Sequence, residues 1–213
     1  MTEILSGVYW PHIRMNIYIV GPAVATPQNL AHIYDLVQFS RNVWWTQTRT
    51  IGIGRLTWST LDVSMAPLRA LFEAGGGQPF GAKAAHNGLP TLCGKYEPKA
   101  LTALVPKSST TLNLFVLQAL ESSGVSYGDS NIAIMIGQAC DQPGNTQFIG
   151  SPRSLAHELG HDFWLSHSKD GYTADACMDL EWPLVIACRK YNLMTQGAAT
   201  SGVMGTFLTE AQR

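Results

Sequence analysis

Three of the chain's six histidines and one glutamate lie within the short segment from His157 to His167. The segment opens with His157-Glu158-Leu159-Gly160-His161. On an α-helix, residues four apart are separated by about 400°, or about 40° net, so His157 and His161 project from one face. Two imidazoles at this spacing can bind one metal ion. Glu158 lies beside the first of them and can act as a general base on a water without being a ligand.

His167 is the candidate third ligand. A helix that continued from His161 would rotate His167 by about 600° and aim it away from the ion, so the helix must end between them. A three-histidine site with a fourth position open for water is the pattern of catalytic rather than structural zinc. Zinc would lower the pKa of that water to near neutrality, Glu158 would take its proton, and the hydroxide would attack a carbonyl. The predicted reaction is peptide-bond hydrolysis.

These residues, together with Met194 in Asn192-Leu193-Met194-Thr195, resemble the metzincin zinc metallopeptidases. Their motif, HExxHxxGxxH, is followed by a turn with a methionine beneath the metal. The resemblance implies an α+β, zincin-like fold, in which a twisted mixed β-sheet carries a zinc-binding helix and a small C-terminal subdomain carries the Met-turn. It also implies one catalytic Zn²⁺ held by His157, His161 and His167, with Glu158 as base, Met194 as support and a polypeptide as substrate.

The sequence departs from the family pattern at two positions. Trp164 stands where the motif has glycine, and a bulky residue is sterically disfavoured at the positive φ that this glycine adopts. We therefore expect the turn after the helix to be built differently. Gln196 stands where some members have a tyrosine that reaches the metal, so no tyrosine ligand is predicted.

Simpler interpretations exist for each of these residues. An HExxH segment can occur on a solvated helix face, Met194 can fill an ordinary gap in the core, and His167 can be a surface histidine past a helix end. The substitute third ligands are Asp170, Asp175, Asp179 and Glu181. Pro183 follows closely on Glu181 and argues against a second long ligand helix there.

Length and composition fit one compact catalytic domain over residues 1–213. We expect an upper subdomain with the sheet and zinc helix to about residue 167, and a lower subdomain from residue 168. The net charge is −1, with Lys+Arg 14 against Asp+Glu 15, so no basic field favours nucleic acid or an anionic membrane. No apolar run approaches the roughly 18 residues of a membrane span. We also expect the protein to be a monomer.

The apolar pattern predicts the order strand, helix, several strands, zinc helix. The first strand covers Arg14 to Val20, and the first helix begins at Pro27 after a Thr26 cap and runs to about Val43. Further strands are predicted at 50–58, 112–117 and 132–136. The long segment 74–109 reads as irregular, and a C-terminal helix is predicted to start near residue 207.

The zinc helix is expected to begin at a Ser154 cap and to point Leu155, Leu159 and Phe163 toward the core.

The four cysteines, Cys93, Cys140, Cys177 and Cys188, lack the CxxC spacing of a structural zinc site. Two disulfides are predicted if the protein is exported, and sequence does not choose among the three pairings. We expect a secreted or exported protein, although residues 15–25 read as a strand rather than a signal peptide.

Two classes of function remain open. The first is a zinc endopeptidase, including a secreted toxin or effector restricted to one protein target. The second is a non-catalytic zincin-fold binding module in which Trp164 distorts or blocks the cleft. Retention of Glu158 favours the enzyme, because metal binding alone does not require it.

Overall fold

The computed structural model describes residues 12–49, 51–74, 91–92, 99–105, 111–120, 124–126, 131–139, 152–165, 192–194 and 208. Its elements in chain order are β1 (His12–Val20), a 3-10 turn (Pro22–Val24), α1 (Pro27–Thr48), β2 (Gly52–Leu61), α2 (Ala66–Ala74), β3 (Thr91–Leu92), α3 (Lys99–Thr102), β4 (Thr111–Leu120), β5 (Gly124–Ser126), β6 (Asn131–Ala139) and α4 (Pro152–Asp162).

The strands form one mixed sheet in the order β2-β1-β4-β6-β5, with β3 paired to the end of β4. The pairs β1–β2, β1–β4, β3–β4 and β4–β6 are parallel, whereas β5 runs antiparallel to β6 at the edge of the sheet. The mixed sheet predicted from the sequence is therefore present. Its antiparallel edge lies beside α4, the helix that carries the histidine cluster.

Helices cover both faces of the sheet. Successive side chains of a strand point to opposite faces, so one strand contributes to the core on each side. On β4, Leu114 and Val116 belong to a core with α1 and α4, whereas Phe115 and Leu117 belong to a core with α2 and α3. The first core also contains Leu193, Met194 and Leu208. Segments far apart in the chain are thus packed beneath α4.

Helix α1 begins as predicted. The Thr26 side chain accepts a hydrogen bond from the backbone N–H of Asn29 (3.2 Å), and proline occupies the first helical position. The helix runs past Val43 to Thr48, and Arg49 caps it in the left-handed conformation with a φ of 59°. The extra turn is stabilised by burial of Trp44 against the core.

The predicted start of α4 was wrong. The helix begins at Pro152, so Ser154 lies inside its first turn rather than at the cap. Proline fits the first helical position because its missing N–H would have no intrahelical partner there. The predicted inward face is confirmed, since Leu155 and Leu159 are fully buried and Phe163 packs against the same core.

Some sequence predictions fall outside the described residues. These are the C-terminal helix, all four cysteines, and most of the expected lower subdomain. The subdomain boundary and the disulfides therefore stay predictions. In the described segments, no helix combines the length and apolar character needed to cross a membrane.

Candidate active site

Helix α4 brings His157 and His161 together. Their ring centroids are 4.8 Å apart and the rings are nearly perpendicular, at 89°. Residues one turn apart on a helix meet in this way because side chains at i and i+4 share a face. The two imidazoles form one cluster, with Glu158 following the first of them in the chain.

The position of α4 is fixed by α1. The indole Nε1 of Trp44 donates a buried hydrogen bond to the backbone oxygen of Ala156 (3.1 Å), and the rings of Trp44 and Phe163 pack in a T-shaped arrangement with 4.8 Å between centroids. A buried indole needs such a partner for its N–H. Trp44 thereby holds the helix next to His157 and again at its C-terminal end.

Each histidine has its Nδ1 at a backbone carbonyl. Nδ1 of His157 lies 2.7 Å from the oxygen of Leu193, and Nδ1 of His161 lies 2.7 Å from the oxygen of Leu165. A carbonyl oxygen only accepts, so both Nδ1 atoms donate. In a neutral ring of this tautomer the lone pair is on Nε2. This arrangement is the usual one for metal-ligating histidines, because the carbonyl fixes the tautomer and the ring orientation.

Helix α4 ends between His161 and position 167, as the spacing required. The backbone N–H of Leu165 donates to the oxygen of Gly160 (2.9 Å), and that of Trp164 donates to the oxygen of His161 (3.0 Å). This pair of bonds is a Schellman motif, in which the residue after the helix adopts the left-handed conformation.

Trp164 is that left-handed residue, with a φ of 65°. The expectation of a differently built turn was wrong, because tryptophan adopts the conformation that the motif's glycine would have. Its side chain is 94% exposed, so the ring causes no steric conflict with the packed core. The remaining cost is the local backbone strain of a non-glycine residue at positive φ.

Glu158 is buried on α4, with 8% of its surface exposed. The pKa of Glu158 is raised to about 7, chiefly by burial; a backbone hydrogen bond from Ser126 and the charge of Arg153 oppose this rise, whereas the charge of Asp162 adds to it. A cation bound nearby would favour the carboxylate and lower this pKa again.

Strand β5 closes one side of Glu158. A Cβ placed on Gly124 would lie 2.8 Å from Cγ and 3.2 Å from Oε1 of Glu158, so only glycine leaves room for this carboxylate. The neighbouring Ser126 hydroxyl donates to the carboxylate of Asp162 (2.6 Å). The edge strand therefore contacts α4 at Glu158 and again at Asp162, one turn later.

Met194 lies beneath α4. It is fully buried, and a Cβ placed on Gly160 would overlap its sulfur and lie 2.9 Å from its Cε. Its backbone N–H donates to the Asn192 side chain (2.8 Å). Arg153 donates from one Nη atom to the backbone oxygens of Asn192 (3.2 Å) and Leu193 (2.7 Å). The methionine segment, residues 192–194, is thus attached to the helix by packing and by hydrogen bonds.

The structure brings His157, Glu158, His161 and Met194 to one place. His167 lies outside the described residues, as do Gln196 and the acidic substitutes Asp170, Asp175, Asp179 and Glu181. Within the described part of the chain, no group of three or more histidine, cysteine or acidic side chains is placed to hold a metal ion. The two histidines there are two of the three predicted ligands.

Three contributors were missed by sequence reasoning, namely Arg153, Gly124 and Trp44. The position of Arg153 could have been predicted from the sequence, since it precedes His157 by four residues and must share its helix face. The positions of Gly124 and Trp44 could not, because their contacts join segments that are far apart in the chain.

Solved structures with some likeness to this chain include two metalloproteinases. Metalloproteinase-II from Bacteroides fragilis has a TM-score of 0.42 and 11% identity, over 87% of this chain and 46% of that chain. Archaemetzincin from Methanopyrus kandleri has a TM-score of 0.36 and 15% identity, over 75% of this chain and 78% of that chain. A chaperone–substrate complex gives 0.40 and 11%, over 76% of this chain and 25% of that chain.

No protein-family model and no curated protein sequence matches the chain. The chain spans about half the length of the Bacteroides metalloproteinase-II chain. At these TM-scores the likenesses do not establish a shared fold or activity.

Proposed function

We propose that the chain is a zinc-dependent endopeptidase of the metzincin type. The observation that carries this proposal is the paired orientation of His157 and His161, each with Nδ1 hydrogen-bonded to a carbonyl, beside the buried carboxylate of Glu158. Simple core histidines do not require two such matched carbonyl partners one turn apart. Metal-ligating histidines almost always donate the other ring N–H to a carboxylate, a backbone carbonyl or water, and this hydrogen bond fixes which nitrogen binds the metal.

Three histidines would hold the ion, His157 and His161 from α4 and His167 from the chain beyond it. Zinc supplies, when bound, a Lewis acid that polarises the substrate carbonyl and makes a water acidic. Met194 would support the site from below, where it fills the space left by Gly160. In this proposal the zincin-like fold consists of the mixed sheet, α4 and the methionine segment.

Glu158 would move the proton. Its carboxylate accepts a proton from the attacking water as the oxygen–carbon bond forms, and donates it to the amide nitrogen as the carbon–nitrogen bond breaks. Gly124 and the surrounding core hold this carboxylate in one position and exclude bulk water from most of it. Restricting the base in this way favours transfer along one path.

The non-catalytic alternative depended on distortion by Trp164. The helix end at Trp164 is regular and the residue is exposed to solvent, which argues against a distortion of α4 by Trp164. We further propose that the enzyme is monomeric, is exported and acts on a polypeptide substrate. The support for export is the even number of cysteines.

The test uses purified protein, casein and a peptide library, with zinc measured on the same sample. We expect stoichiometric zinc and cleavage by the unaltered chain, and for Glu158→Gln the same zinc content with cleavage reduced by about 10³-fold or more. Glu73→Gln is the matched control, since Glu73 is an exposed glutamate on α2, and it should cleave normally.

Cleavage that survives in Glu158→Gln would overturn the assignment of the base. Zinc binding without Glu158-dependent cleavage of any substrate would favour a binding module, and absence of zinc would overturn both.

A further inference from the structure

Arg153 has a guanidinium at an unusual place for a cation. Only 8% of its surface is exposed, and it lies on α4 one turn before His157, on the same face. One Nη atom donates to two successive carbonyls, those of Asn192 and Leu193. The Leu193 oxygen also accepts the Nδ1–H of His157 at 2.7 Å. One carbonyl oxygen therefore serves both the arginine and the histidine.

We propose that Arg153 is a positioning residue for metal binding: it fixes the Leu193 carbonyl and so orients the imidazole of His157. This inference rests on the proposed zinc site and extends it to a residue outside the HExxH motif.

The two histidines differ in how their carbonyl partners are held. The partner of His161 is Leu165, four residues away at the end of the same helix, where the Schellman turn fixes it. The partner of His157 is Leu193, which is 36 residues away in the chain. Leu193 thus needs a separate attachment to α4, and the two bonds from Arg153 supply one.

The charge of Arg153 acts against this role. A guanidinium keeps its proton in proteins, so it places a buried positive charge close to a site proposed for a dication. That repulsion by itself weakens metal binding. If positioning dominates, replacing Arg153 by a neutral residue weakens zinc binding. If charge repulsion dominates, the same replacement strengthens it.

The experiment compares Arg153→Met, Arg153→Lys and Arg41→Met. Arg41 is the matched control, because its guanidinium also donates to two backbone carbonyls, Ile53 (2.7 Å) and Gly54 (3.3 Å), but it does so at β2, the edge of the sheet opposite β5. Zinc affinity is measured by competition with a chromophoric chelator. The visible absorption of the cobalt-substituted protein reports the geometry around the ion.

We expect Arg153→Met to bind zinc about 10- to 100-fold more weakly than the unaltered chain and to change the cobalt spectrum, as loss of a group that orients a ligand does. Arg153→Lys keeps the charge without the planar donor group and should be intermediate. Arg41→Met should lose thermal stability but keep both the zinc affinity and the cobalt spectrum.

Tighter zinc binding by Arg153→Met, or an affinity and spectrum equal to those of Arg41→Met, would overturn the inference. If Arg153→Met does not fold, Arg153→Lys decides, and unchanged affinity and spectrum in that variant would overturn it. Failure of the unaltered chain to bind zinc or cobalt is a different result, because it removes the proposed function itself.

Discussion

Trp164 combines a positive φ with an almost fully exposed ring. A non-glycine residue in the left-handed region costs about 1–2 kcal/mol, whereas glycine adopts it freely. We expect Trp164→Gly to be more stable than Trp164→Ala by about 1 kcal/mol, because both variants remove the ring and only glycine removes the strain. Chemical denaturation of the two variants measures this difference.

Equal stability of the two variants would mean that the backbone at residue 164 is not strained. The unaltered chain serves as the reference. It should resemble Trp164→Ala, since a ring that is 94% exposed contributes little packing.

Glu158 owes its position to a residue on another element, Gly124 of β5. We expect Gly124→Ala to displace the carboxylate and to lower the rate of cleavage by about 10- to 100-fold, because small misplacements of a catalytic group have effects of this size. Zinc affinity should change little, since the three atoms nearest to a Cβ on Gly124 all belong to Glu158. Kinetics and metal titration on one preparation measure both quantities.

The control for this prediction is the double variant with Glu158→Gln. There the added methyl group should cause no further loss of activity, as expected when two changes act on one group. An additional loss in the double variant would show that Gly124 acts on something other than the base.

Helix α4 also packs closely against the methionine segment. We expect Gly160→Ala to destabilise the fold by about 1–3 kcal/mol, because the new methyl group overlaps the sulfur of Met194. Thermal unfolding measures the loss. The double variant Gly160→Ala with Met194→Ala should lose less than the sum of the single variants, since removal of the thioether makes room.

Full additivity in that cycle would contradict the packing described for these two residues.

The elements that sequence predicted well have long, regular apolar patterns. β1 and α1 repeat apolar residues with one clear period, β4 and β6 contain continuous apolar runs, and the HExxH spacing identifies α4. β5 was missed because three residues, Gly124–Ser126, are too few to show alternation. α2 was missed because it covers Ala66–Ala74, only nine residues with one buried side chain.

In the candidate site, too, some features could be predicted from the sequence and others could not. His157, Glu158 and His161 could be predicted because one helix turn relates them. The contacts of Gly124 with Glu158 and of Trp44 with Ala156 could not, since they join different parts of the chain through the tertiary fold. The effect of Trp164 was misjudged because steric preference alone does not show that a Schellman turn forms there.

At the scale of the whole molecule, the candidate site is part of the main core. α4 packs on α1 and the sheet, and the methionine segment packs beneath it. A ligand that binds only the folded state raises the free energy of unfolding of the whole molecule. The increase is about 2.7 kcal/mol when the free ligand concentration is 100 times its Kd. For a chain of this size we expect zinc to raise the melting temperature by about 5–10 °C.

His157→Ala is the control for this effect, and its melting temperature should not respond to zinc. An equal rise in that variant would place the binding of zinc elsewhere in the molecule.

The different carbonyl partners of the two histidines also set an order of events during synthesis. His161 can find its partner as soon as Leu165 has been added, four residues later, whereas His157 must wait for Leu193. Leu193 follows Leu165 by 28 residues, and at about 5–20 residues per second their addition takes about 1–6 s on the ribosome. A nascent chain in that interval has a partner for His161 but none yet for His157, so the proposed metal site cannot be fully oriented before Leu193 has been added.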